Sequence, residues 1–360
     1  KKGAGTCPVR GHSNVQGDRT MGIWEKPSTS FLDHLEKEFS FKAPRKHGLD
    51  VVDSITAMHQ KKAKVFVGMG GNFVSATPDT EFTAAALRNC TLTVQISTKL
   101  NRSHLIHGKK ALILPCLGRS EEDVQASGLQ FISVENSMGI VHQSHGHLKP
   151  HSDMLLSEPA IVVGLANATL KNTKTDWTAF ASNYDLIRSK IEATIPGFEN
   201  YNKRVRIKGG FYLPNNAREN NFSPTASGKA NFTVNEPSDI KLESNQFIMM
   251  TIRTHDQYNT TIYGLDDRYR GVLNERRVVF MNEEDMKIQN LKQLDLVDLT
   301  SHFKDEKREA KGFLVVAYNI PKQCTATYFP EANVLVPLKS VAKISNTPTS
   351  KTVIISIKKR

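Results

Sequence analysis

No window of this 360-residue chain approaches the roughly 18 uninterrupted apolar residues that a membrane-spanning helix needs, so no membrane span is expected. Cysteine is scarce and unpatterned. Cys7, Cys90, Cys116 and Cys324 form no C-x-x-C pair, which excludes zinc or iron–sulfur sites of the usual spacing; no metal ligand is assigned. Sparse cysteine suits a reducing compartment, and a cytoplasmic location is expected. The opening Lys1-Lys2-Gly3-Ala4-Gly5 has no apolar stretch and no paired arginines, so it does not read as a leader. A polar, glycine-bearing loop follows within the first twenty residues. That placement suggests the C-terminal part of something longer.

Positive charge is in excess. Lysine and arginine number 48 against 36 acids, a formal net charge of +12. Polyanions are the generic partners of such a chain: nucleic acid, an acidic surface, or phosphate-bearing cofactors. The charge is spread along the chain, clustering only at Lys61-Lys62 and Lys358-Lys359-Arg360. Zinc-finger spacing, an RNP motif and a basic amphipathic helix are all missing, so no nucleic-acid partner is expected.

Apolar spacing predicts helices around Phe31–Phe39 and Val51–Met58, then a strand at Lys64–Gly68. A helix over Glu81–Arg88 and strands at Leu92–Ile96 and Ala111–Leu114 follow. Alternating short strands and helices predict a doubly wound, mostly parallel α/β sheet, which binds ligands beyond its strand ends. Gln130–Glu135 reads as one further strand, and Ile161–Leu170 and Tyr184–Ile195 read as helices. Residues 200–239 are rich in turn formers. Beyond them, Phe247–Ile252, Arg277–Met281, Phe313–Tyr318, Asn333–Leu338 and Thr352–Ile357 read as strands, with a short helix from Asn282. Many short strands suggest a small β-barrel. The expected division is an active-site loop at 1–22, an α/β domain at 23–165, a connecting region at 166–244 and a barrel at 245–360.

Three segments carry candidate chemistry. The first is the polar loop Cys7–Gly22, with Arg10, Gly11, His12, Asn14, Gln16 and Gly17. Its glycines and guanidinium can bring donors against an anion. The second is Gly70-Gly71-Asn72, directly after a strand, where backbone N–H groups can meet a phosphate. It is neither G-x-G-x-x-G nor a P-loop, and alone it would read as a tight turn. The third is Ser97-Thr98-Lys99-Leu100-Asn101-Arg102-Ser103-His104, with two cations, an amide and an imidazole. The histidines His142, His145, His147 and His151 cluster, but without a tetrahedral ligand pattern. His255 and Asp256 are adjacent. Neighbours on a strand face opposite ways, so they are not expected to act as a pair.

Seven motifs occur together: Pro8-Val9-Arg10-Gly11-His12-Ser13-Asn14-Val15-Gln16-Gly17, Gly70-Gly71-Asn72 with Pro78-Asp79, Thr98–His104, Ala111–Pro115, Arg253–Thr260, Asp266–Gly271 and Tyr328–Leu335. In these the chain resembles formate dehydrogenase-like molybdopterin oxidoreductase alpha subunits, a bacterial branch associated with acid resistance, over essentially all 360 residues. The resemblance implies two molybdopterin guanine dinucleotides around molybdenum or tungsten. It implies a nearby iron–sulfur cluster and a metal ligand in an earlier segment, and a barrel of the dinucleotide-binding type. It also implies two-electron oxidation of a small-molecule substrate, with electrons leaving through the cluster to an unknown acceptor protein. Carried over by motif, Arg10 and His12 are catalytic. His12 stands where formate dehydrogenases have glutamine, which points away from formate. Gly11, Asn14, Gln16, Gly17, Gly70, Gly71, Asn72, Ser97, Lys99, Asn101, Arg102 and His104 are expected to touch cofactor. So are Arg253, Thr254, Gln257, Tyr258, Asn259, Asn333 and Lys351. The alternatives are a redox-inactive, stress-related relative that keeps the cofactor fold, and a basic module for anionic partners.

Overall fold

The computed structural model describes residues 15–237 and 239–360. Arg10, Gly11, His12 and Asn14 therefore lie outside the described residues. The chain divides into two compact units, each built from two segments. Residues up to 48 join 115–236, and 49–114 join 237–360. The units interleave in sequence, whereas the composition boundaries at 165 and 244 run in sequence order.

The second unit begins with the helix Val51–His59. Asp50 caps it by accepting the Asp53 N–H at 3.0 Å, and Val52, Ile55 and Met58 form its buried face. Strand β1 (Val65–Met69) pairs in parallel with β2 (Leu92–Ser97), and β3 (Lys110–Pro115) completes the order β1-β2-β3. The helices Phe73–Ala76 and Thr80–Arg88 make the crossover that parallel strands require. Phe66 of β1 packs with Ile55, Val74, Ala86 and Leu87 in one core.

The extended doubly wound sheet expected over 23–165 is corrected. Parallel pairing is seen between β1 and β2, and the strands after Pro115 belong to the first unit and are antiparallel. There β4 (Asp123–Gln125) pairs with β5 (Gly128–Gln130), and β6 (Ile132–Glu135) with β7 (Ile140–Ser144), which also pairs β8 (Phe211–Tyr212). Strands this short, joined by tight turns, have no room for a parallel crossover. The single strand expected over Gln130–Glu135 is likewise broken at Phe131. The irregular 200–239 region contributes Tyr201 and Phe211 to a core with Phe198 and Val141. Aromatic edge-to-face contacts, 4.7 Å between the Phe198 and Tyr201 rings, hold it there.

The rest of the second unit is a closed six-stranded barrel. Its strands are β9 (Gln246–Ile252), β12 (Val278–Met281), β13 (Leu296–Phe303), β14 (Glu306–Ala317), β15 (Cys324–Tyr328) and β16 (Val353–Lys359), in the order β12-β14-β13-β16-β9-β15. The hairpin of β10 (Gln257–Tyr258) and β11 (Thr261–Ile262) leaves it after β9. Alternate residues point inward: Phe247 and Met249, Val297 and Leu299, Val353 and Ile355, all fully or almost fully buried. The Asn333–Leu338 strand is corrected to a 3₁₀ turn over Glu331–Leu335. Ala332, Leu335 and Val336 are all buried, so the alternation a strand needs is absent. Pro330 and Pro337 remove backbone donors on either side.

Candidate functional site

At the end of β1 the chain turns through Gly70 and Gly71, at φ of 68° and 69°. A Cβ at either position would meet nothing within 4 Å, so glycine serves the left-handed backbone rather than the space. The Gly70 N–H donates to the Ile96 carbonyl at 2.7 Å, tying this turn to β2. The loop after β2 is laced to the same turn. Asn101 Nδ2 donates to the Gly71 carbonyl at 2.8 Å, and Ser103 Oγ donates to Asn72 Oδ1 at 2.7 Å. Ser103 Oγ also accepts the Val74 N–H at 2.9 Å. Asn101 and His104 form a reciprocal capping box, with His104 Nδ1 accepting the Asn101 N–H at 2.9 Å. His104 Nε2 and Gln95 Nε2 are buried without a partner among the described residues.

These bonds divide the candidates by role. Asn72, Asn101 and His104 hold the loops in shape. Ser97 does the same, donating to the Lys99 carbonyl at 2.7 Å. Lys99 and Arg102 are exposed, and neither forms an ion pair among the described residues. They are the groups left for an anion.

At the mouth of the barrel, Gln257 is the hub. Its Oε1 accepts from the Thr254 N–H at 3.1 Å and from Arg276 Nη2 at 3.0 Å, and its Nε2 donates to the Phe329 carbonyl at 2.6 Å. Arg276 is buried and pairs with Glu331 at 2.7 Å. It was not among the expected residues: Arg276 and Arg277 both precede β12, and nothing local marks Arg276 as the buried one. Arg253 is exposed and donates to Asn259 Oδ1 at 2.6 Å, and Tyr258 stands exposed beside it in the hairpin. Lys351 Nζ reaches the Thr251 carbonyl. Desolvation and then the Arg253 charge hold its ammonium below the ordinary lysine range. Asn333 is buried. Its Nδ2 donates to the Ser75 carbonyl at 2.7 Å, and its own carbonyl accepts the Asp79 N–H at 2.9 Å. It clamps the segment after Asn72 to the barrel, and Asp79 adds an ion pair to Arg308 at 2.7 Å.

Residues 247–354, the barrel from β9 into β16, match the molydopterin dinucleotide binding domain. Over 99% of its length the chain is 53% identical to uncharacterized oxidoreductases of Mycobacterium tuberculosis and Mycobacterium bovis, covering 47% of each. It is 44% identical to protein YdeP of Escherichia coli K12, again over 99% of the chain and 48% of that protein. The barrel thus carries a molydopterin dinucleotide binding domain, and the chain as a whole is similar to these oxidoreductases. It spans about half the length of the curated relatives it matches. Among solved structures, acetylene hydratase from Pelobacter acetylenicus shares the fold, with a TM-score of 0.56 at 11% identity over 92% of this chain and 50% of that one.

Of the remaining expected residues, Gln16 and Gly17 sit in the first unit. Gln16 Nε2 donates to Glu135 Oε1 at 2.7 Å, and Gly17 is buried in the helix Val15–Thr20. Gly17 borders a cavity of about 370 Å³, lined also by Met21, Phe131, Val134, Ile187 and Phe198 and by Glu135, the partner of Gln16. His145 and His147 meet edge to face, 4.6 Å between ring centres. No group of three or more His, Cys, Asp or Glu among the described residues is placed to hold a metal. His255, discounted beside Asp256, instead pairs with Asp267, twelve residues on, at 3.0 Å.

Proposed function

We propose that this chain is the cofactor-binding part of a formate dehydrogenase-like molybdenum or tungsten oxidoreductase that holds two molybdopterin guanine dinucleotides. The observation that carries the reading is the laced pair of loops beside the unpaired cations Lys99 and Arg102. The residues present suit a dinucleotide: an open glycine turn for a phosphate, and Arg253 and Lys351 at a barrel of the dinucleotide-binding family. When bound, the metal–pterin group supplies two-electron redox chemistry on a small substrate, and the electrons pass to an iron–sulfur cluster. The chain's own part is to bind and orient. Lys99 and Arg102 attract the dinucleotide phosphates, Asn72 and Asn101 keep the loop rigid, and Arg276 holds the barrel loop that presents Arg253. Arg10 and His12 complete the substrate side in this reading. The barrel's family match favours a dinucleotide over an undefined polyanion.

Titration of the 360-residue chain with guanosine 5′-diphosphate, followed by amide NMR, tests this. Shifts are expected at Gly70–Asn72, Ser97–His104 and Arg253–Asn259, with weak affinity of about 1 mM, or about −4 kcal/mol. Lys99→Ala and Arg102→Ala should each weaken binding without altering thermal stability. Saturable shifts that spare both loops would overturn the reading.

A further inference from the structure

The cavity in the first unit has a volume of about 370 Å³, and all of its lining residues belong to that unit. Three segments wall it: the helix Val15–Thr20 with the turn after it, strand β6 with Phe131 before it, and the helix Tyr184–Thr194. Phe198 and Tyr201, both almost fully buried, form its floor, and the exposed Asp18 and Ile23 mark its mouth.

The apolar side chains around it are only half covered. Met21, Phe131, Ile132, Val134, Ile187 and Ile191 all border the cavity, and all are neither buried nor fully exposed. Val141 and Val205, in the core behind them, are sealed. Apolar surface left half in water forgoes burial free energy that an apolar guest would recover.

The buried polar groups on the wall are already engaged with the protein. Glu135 accepts from Gln16 Nε2 at 2.7 Å and from Thr20 Oγ1 at 2.6 Å. Arg188 Nε donates to Asn202 Oδ1 at 2.7 Å, its Nη1 to the Phe131 carbonyl at 3.0 Å, and its Nη2 to Asp185. The Tyr201 and Ser133 hydroxyls bond each other, and the Tyr184 hydroxyl donates to Asp123 Oδ2 at 2.5 Å. Among the described residues, none of the buried side-chain polar atoms that lack a partner lies on this wall. A face of Phe131 is occupied too, with the Arg188 guanidinium 4.0 Å from its ring centre. An anionic guest would find the Arg188 charge already met by Asp185, and a cationic one would find that ring face taken. Either would give up water for groups that are spent, which is costly for a charge.

We infer that this cavity is a binding site for a small, uncharged, predominantly apolar molecule, selected by shape rather than by hydrogen bonds. An apolar cavity of about 150 Å³ holds benzene, so the larger volume here suits one or two rings or an aliphatic body of that size. The site stands apart from the dinucleotide reading, whose loops and barrel belong to the other unit. Gly17 alone is shared with the residues expected to touch cofactor.

Toluene is a suitable probe, with benzylamine and benzoate as charged molecules of similar size. Methyl NMR of the 360-residue chain should show saturable shifts at Met21, Ile132, Val134, Ile187 and Ile191 on adding toluene. Its affinity should exceed that of either charged probe by about tenfold or more, the scale of leaving a charge poorly solvated. Ile187→Phe fills the cavity from the helix and Val134→Phe from the strand. A variant that melts cooperatively should lose saturable toluene binding and keep its affinity for guanosine 5′-diphosphate. Benzylamine or benzoate binding as tightly as toluene overturns the inference, because the site then selects a charge. Absence of saturable shifts at these methyls overturns it as well, as does toluene binding that survives in a folded, filled variant.

Discussion

At the scale of single residues, the acids and arginines of the barrel mouth are worth more to stability than their surface counterparts. Asp267 accepts three hydrogen bonds while fully buried. Asp267→Asn leaves Arg270 without its counter-charge, and the expected loss is about 3–5 kcal/mol, the usual result of breaking one side of a buried pair. Chemical denaturation of the variant checks this. The sign of the pH effect follows from a carboxyl held below its unfolded value. Asp267 contributes stability above the unfolded aspartate pKa of about 3.9, and that contribution is lost as pH falls through the lower, folded value. The acid-unfolding midpoint should therefore move upward in pH in a Tyr328→Phe variant, which removes one of the bonds, 2.9 Å long, that hold Asp267 ionised. Arg276→Ala should also cost several kcal/mol, because Glu331, Gln257 and the Phe329 carbonyl lose a shared, buried partner.

At the scale of elements, glycines of similar backbone geometry should respond differently to alanine. Gly71→Ala strains a left-handed φ with open space around it, so a loss of about 1 kcal/mol is expected. Gly210→Ala carries the same strain, and its Cβ would also collide with the Val141 carbonyl, where β8 meets β7. It should fail to fold or melt far lower, and thermal melts of the two variants make the comparison. Periodicity made much of this architecture legible. The helices Thr29–Phe39 and Thr80–Arg88 and strands β1, β2, β9 and β16 lie within a residue or two of their apolar patterns. The residues that misled are those whose burial comes from distant partners. Asn333 sits in an apolar run but is spent on the Ser75 carbonyl, which no local pattern reveals. Strand β15, Cys324–Tyr328, is made of small and hydroxyl residues, so its buried status has no hydrophobic signature. At the candidate site, glycines and cations were visible in sequence. The lacing by Ser103 and the arginine hub at 276 required contacts over 29 to 55 residues.

At the scale of the whole molecule, the excess of twelve positive charges makes anion binding depend on salt. Affinity for guanosine 5′-diphosphate should fall severalfold between about 0.02 and 0.2 M salt, because Lys99 and Arg102 are exposed and screened over a Debye length of about 10 Å or less at the higher salt. Isothermal titration at the two ionic strengths measures it. A salt-independent affinity would place the binding energy in uncharged contacts instead.

The interleaving of the two units has a consequence for the order in which the chain acquires its structure. The second unit is assembled from 49–114 and 237–360, so the partners of its first segment are synthesised only after the whole intervening stretch. Its barrel closes only when β16, starting at Val353, slots between β13 and β9. The contacts that complete it are thus among the most distant in sequence, and loop-closure entropy must be met before they form. Folding of this unit should be slow. During that interval the unpaired edges of β9 and β13 stay open to other chains, so yield on refolding should fall steeply with protein concentration.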